Sequence, residues 1–153
     1  MEDLVFSQID FGLLMPLLKD DDITDISYSN NGQVHIKTLS QGIKQVKIDG
    51  LNNEVMEKLA FQCSNVMGKT FNMAHPLLDA ESAELRLNFV HESIATNGIA
   101  VLIRKTPAKI RLNKEKLISE DYVSVKLHDF LLTCIQGHCN ILVSGETGSG
   151  KTE

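Results

Sequence analysis

The sequence predicts an α/β chain of the α+β kind, with a mainly antiparallel sheet and packed helices as N-terminal domain, then a linker and the start of a phosphate-loop domain. Three observations predict it. Short runs of alternating apolar and polar residues are separated by residues that tolerate left-handed backbone, one long apolar stripe keeps helical spacing, and a glycine-rich loop follows an apolar run near the carboxyl end.

Phe11, Leu14, Met15 and Leu18 fall on one side of a helix over residues 7–19, in which Pro16 predicts a kink or a break. Ile23 to Tyr28 alternates and is rich in β-branched residues, so it reads as a strand. Asn30-Asn31-Gly32 tolerates positive φ and predicts a hairpin into Val34 to Lys37, and Gln41-Gly42 turns the chain again into residues 43–48. Leu51, Val55, Met56, Leu59, Cys63, Val66 and Met67 keep helical spacing up to Gly68, with Asn52 or Asn53 as cap and the glycine as stop. The Met and Cys stripe is read as the face laid on the sheet.

His75 to Asp79 is extended, because the residue before a proline is pushed out of the helical region. Leu85, Leu87 and Phe89 alternate with Arg86 and Asn88, giving a strand with an apolar inner face and an outer face that carries a guanidinium and an amide. Beyond Asn97-Gly98, the continuously apolar Ile99 to Ile103 predicts a central strand ended by Arg104-Lys105. If these two strands pair, equal parity places Arg86 and Arg104 on the same side of the sheet.

After Pro107 the texture changes. Residues 105–121 are polar and basic and read as a linker holding one short helix near residues 113–118, followed by a helix from Val125 to Ile135 that Gly137 ends. Cys139 to Ser144 reads as a short apolar strand leading into the loop. The expected division is an N-terminal α/β domain over residues 1–106, an interdomain linker over 107–121, and the start of a phosphate-loop domain over 122–153.

Composition narrows the function. A net charge of −5 over 153 residues argues against broad nonspecific nucleic-acid binding, so no stable direct nucleic-acid contact is expected. Charge is uneven: Glu2 to Asp25 hold seven acids against Lys19, and Arg104 to Lys116 hold six bases against Glu115, a candidate contact for phosphate or a membrane surface. No apolar run reaches the roughly 18 residues of a bilayer span, and the acidic Met1-Glu2-Asp3 is unlike a secretory signal, so a cytoplasmic protein is expected. Cys63, Cys134 and Cys139 are then reduced thiols, and Cys134, His138 and Cys139 fall short of a four-ligand zinc site and read as buried thiols beside a turn.

Gly145, Glu146, Thr147, Gly148, Ser149, Gly150, Lys151 and Thr152 satisfy G-x-x-x-x-G-K-[ST] in full. The glycines let backbone N–H groups turn inward onto phosphate oxygens, Lys151 places a cation on the β and γ phosphates of ATP, and the Thr152 hydroxyl suits Mg²⁺. The helix that completes such a cradle and the acidic motif that holds Mg²⁺ would lie downstream of Glu153. The 153 residues are therefore expected to be an N-terminal piece of a longer ATPase and not to hydrolyse ATP alone. The apolar run 139–144, without sheet neighbours, must find another partner or stay exposed, and residues after about 137 are expected to be poorly ordered or paired with another chain.

Asp22-Ile23-Thr24-Asp25-Ile26, Pro76 to Asp79, Ile103-Arg104-Lys105, Phe130-Leu131 and Ile141 to Thr152 occur in the order and rough spacing of the type II and type IV secretion ATPases. The chain resembles that superfamily over residues 20–152. The resemblance implies a cytoplasmic homohexamer, peripheral to the inner face of the cytoplasmic membrane, that works with inner-membrane secretion, pilus-assembly or conjugation machinery. It also implies a RecA-like second domain, ATP and Mg²⁺ as cofactors, nucleotide in the cleft between domains, and Arg86 and Arg104 as the arginines that reach the terminal phosphate. Ordinary surface salt bridges are the competing reading of both arginines. Two other readings remain open at this point: a freestanding PAS-like module binding a ligand or a protein in an apolar pocket, and the front domain of an unrelated P-loop NTPase.

Overall fold

The computed structural model describes residues 8–106 and 113–146. The chain separates into two compact units, Met1–Ala108 and Lys109–Glu153.

Among the described residues of the first unit, a 3-10 turn, Gly12–Leu14, is followed by a single helical turn α1, Met15–Lys19. The helix expected over residues 7–19 is thus replaced by two short pieces. Gly12 has φ +47, outside the right-handed helical range, and Pro16 sits in the first turn of α1, where its missing N–H leaves no bond unmade. Ile9, Phe11 and Leu14 are buried all the same, whereas Met15 faces out.

Strands β1 (Ile23–Ser29), β2 (Gln33–Thr38) and β3 (Gly42–Val46) form the expected antiparallel meander. Asn30 and Asn31, at φ +48 and +55, make the first reversal, as their short side chains permit. Helix α2, Asn53–Met67, follows. Asn52 Oδ1 accepts from Val55 N at 3.0 Å as its cap, and Gly68 at φ +61 ends it. A second meander of β4 (Leu77–Glu81), β5 (Leu85–Val90) and β6 (Ala100–Lys105) then pairs β6 against β1. The result is a six-stranded antiparallel sheet in the order β3-β2-β1-β6-β5-β4.

One face of this sheet is closed. Ile26, Tyr28, Val34, Ile36, Leu78, Leu87, Phe89, Val101 and Ile103 share a core with Met56, Leu59, Ala60 and Cys63 of α2. Phe71 fills the end of the core, edge-on to Phe89 with ring centroids 6.3 Å apart. β6 is central in strand order, as expected, and within this unit its apolar run is buried on one side of the sheet only. Leu102 is 41% exposed, as an antiparallel sheet with one solvated face allows.

The second unit contains α3 (Lys114–Ser119) and α4 (Val125–Gln136), capped by the side chains of Asn113 and Ser124. Tyr122 N donates to Leu117 O in the turn that follows α3, and Lys114 Nζ of α3 lies 3.6 Å from Asp129 Oδ1 of α4. Residues 139–146 carry no regular secondary structure, in place of the strand expected over 139–144. Leu142 is 93% exposed. A strand is defined by ladder partners, and an apolar run that finds none cannot become one.

Candidate functional site

The open face of the sheet carries a row of charges set by register. Glu81 lies opposite Arg86, Arg86 opposite Arg104, Arg104 opposite Asp25, and Asp25 opposite Lys37. Five adjacent strands, β4-β5-β6-β1-β2, thus each contribute one charged side chain to a single line. The equal-parity expectation for Arg86 and Arg104 is met. Directly opposed like charges on a sheet repel, and here each cation has an acid on its outer side that offsets the repulsion.

The two arginines are held differently. Arg104 Nε donates to Asp25 Oδ1 at 2.8 Å, and the Asp25 side chain is only 16% exposed. Its other oxygen accepts from Thr24 Oγ1 at 2.8 Å. Burial by itself raises the Asp25 carboxyl, but the hydrogen bonds from Arg104 and Thr24, with the charges of Arg104 and Lys37, outweigh it and hold the group below the usual carboxylate range. Arg86 Nε meets Glu81 Oε1 at 2.7 Å, with both side chains more than half exposed. The second row of the face carries Asp79, Asn88, Leu102, Ser27 and His35 in register, with Asn88 Nδ2 donating to Asp79 Oδ1 at 2.7 Å.

Asp25 and Glu81 are the residues the sequence reading missed. The signal for Glu81 lies in its pairing parity with Arg86, which needs β4 to be recognised as a strand. That for Asp25 is obscured by a β-bulge between Ile23 and Asp25.

Of the glycine-rich loop, Gly145 and Glu146 are described, in irregular backbone. Thr147, Gly148, Ser149, Gly150, Lys151 and Thr152 lie outside the described residues, and so does Thr152 as the expected Mg²⁺ ligand. Two guanidinium groups side by side on an open face suit a polyphosphate, since each is a planar fork that matches phosphate oxygens. Among the described residues no cluster of three or more His, Cys, Asp or Glu could hold a metal. Cys63 is buried, but Cys134 is half-buried and Cys139 exposed, so the expectation of buried thiols beside the turn fails for Cys139. Among the described residues no helix is long and apolar enough to cross a membrane.

Against known structures, the chain is similar to the VirB11 ATPase from the Brucella suis type IV secretion system, solved in complex with sulphate. The TM-score is 0.64 and the identity 21%, over 96% of this chain and 51% of that one. The fold is shared with part of VirB11. By sequence, the whole chain is similar to the uncharacterized protein pXO2-25 of Bacillus anthracis, 29% identical over 157 residues, which is 34% of that protein. The chain thus spans a third to a half of the relatives it matches. It matches no protein-family model.

Proposed function

We propose that this chain is the front portion of a secretion or conjugation ATPase that couples ATP hydrolysis to macromolecule transport or pilus assembly. In this reading residues 1–106 are its N-terminal domain, 107–121 a linker and 122–153 the start of a RecA-like domain. The observation that carries it is the direct register of Arg86 with Arg104 on the open face of a sheet whose fold is shared with VirB11. The salt bridges to Glu81 and Asp25 do not compete with this role. A guanidinium has five N–H donors, and an Nε contact uses one while fixing the plane of the fork.

ATP with Mg²⁺ supplies the phosphoryl group that is hydrolysed. The residues of this chain bind and neutralise it. Backbone N–H groups of Gly145 to Gly150, with Lys151 and Thr152, would hold the phosphate oxygens, and Arg86 and Arg104 would offset the charge that develops on the terminal phosphate. The assembly is a cytoplasmic homohexamer at the inner membrane, working with secretion or conjugation machinery. The alternative of a freestanding pocket module is less favoured, because the closed face of the sheet is filled by Met56, Leu59, Phe71 and Phe89.

The test is ATP hydrolysis by the product of the complete reading frame that encodes this chain. Lys151→Ala and Arg104→Ala are each expected to lower kcat by about 10²-fold or more, and Arg86→Ala by less. Full activity in both arginine variants, with loss only in Lys151→Ala, makes the front domain an adaptor and overturns the reading.

A further inference from the structure

We propose that Asp25 is a positioning residue for ATP hydrolysis, which aims the Arg104 guanidinium at the terminal phosphate; this rests on the role given to Arg104 above. The structure treats the two arginines unequally. Arg86 shares an ion pair in which both partners are well exposed, whereas Arg104 is anchored on a carboxylate that is itself fixed. Both oxygens of Asp25 are engaged, Oδ1 by Arg104 Nε and Oδ2 by Thr24 Oγ1, each at 2.8 Å. The single proton of the Thr24 hydroxyl goes to Asp25 Oδ2, the nearer of its two acceptors, the other being Lys37 O at 3.3 Å. With both oxygens occupied and the side chain largely buried, the carboxylate is restrained more than the exposed guanidinium it holds. It sets the angle.

The sign of the charge sharpens the argument. A negative group beside a phosphate site opposes the binding of ATP, so Asp25 adds nothing to ground-state affinity. What it contributes is orientation, which acts on the rate of the chemical step. Lys37, on the far side of Asp25 in register, offsets part of the repulsion. Substituting Asp25 by its isostere should consequently separate the two kinetic constants: kcat falls while KM for ATP stays level or falls.

The experiment measures ATP hydrolysis by the full-length protein as wild type, Asp25→Asn, Arg104→Ala and the double variant, with folding followed by circular dichroism. Asp25→Asn is expected to lower kcat about 10-fold without raising KM. In the Arg104→Ala background it is expected to change nothing more. Added guanidinium ion is expected to restore part of the activity of Arg104→Ala and none of the double variant, because the ion needs the Asp25 carboxylate to hold it. If Asp25→Asn folds poorly, Thr24→Val removes the hydrogen bond to Oδ2 and is expected to give a smaller loss of kcat with the same level KM.

An additive loss in the double variant, a rise in KM with constant kcat, or wild-type kcat in Asp25→Asn overturns the proposal while leaving Arg104 in place. Wild-type activity in Arg104→Ala overturns the reading beneath it.

Discussion

Tyr28 Oη donates to Asn53 Oδ1 at 2.8 Å, tying the middle of the sheet to the first turn of α2. Gly98 closes over the same amide. A Cβ on Gly98 would stand 2.0 Å from Asn53 Nδ2, and the residue has φ +105, which side-chain-bearing residues rarely adopt. Tyr28→Phe is expected to cost about 1 kcal/mol, since it leaves the Asn53 oxygen without its donor. Gly98→Ala is expected to cost about 2 kcal/mol or more by urea denaturation. Adding Asn53→Ala should recover only part of that loss, because the backbone strain remains.

The Asp25 pair makes a statement about acid stability. Its folded pKa is lowered, so its contribution is present above the ordinary carboxylate value of 3.8 and is lost as pH falls below it. Solvent screening of the exposed guanidinium keeps the contribution to about 1 kcal/mol. Asp25→Asn should be less stable than wild type by that amount at pH 7, and the difference should shrink below pH 3.8. A constant difference from pH 7 to pH 2 would contradict the assignment.

Cys63 predicts the opposite limb. Burial pushes its thiol up to about 12 from 9.0, so the folded state keeps a proton that the unfolded state releases. The stability this gives is complete below pH 9 and declines as pH rises toward 12, at about 1.4 kcal/mol per unit. Cys63→Val should unfold with a shallower alkaline slope. In native protein a thiol reagent should label Cys139 first and reach Cys63 only on unfolding.

The cap of α2 offers a local test. Replacing Asn52 by Ala removes the acceptor for Val55 N and should cost about 1 kcal/mol, while Asn52→Asp should be close to neutral. Thermal melts of the two variants decide it.

The sequence exposes those elements whose causes are local. Asn30-Asn31-Gly32 carries its own turn chemistry, α2 carries its stripe, cap and stop, and the parity of Arg86 and Arg104 follows from alternation inside two neighbouring strands. Features that depend on distant partners were hidden. His75 to Asp79 reads only as extended and stops short of Glu81, because what makes Leu77–Glu81 a strand is the ladder with β5. Simple alternation from the buried Ile23 would turn Asp25 inward. The bulge at that point resets the phase, so that Ile23 and Ile26 are both buried and Asp25 reaches Arg104, 79 positions along the chain. Cys139 to Ser144 has the composition of a strand, and the ladder that would make it one is missing from residues 139–146.

Five strand contacts hold the sheet together, and four of them close between consecutive strands. The fifth, β1 with β6, joins residues separated by most of the unit, and closing so long a loop is the slow entropic step of assembly. The Arg104–Asp25 contact sits on that junction. Arg104 and Asp25 stand 79 positions apart in the sequence and meet only where that junction closes, so the geometry of the pair exists only when the two halves of the sheet are joined.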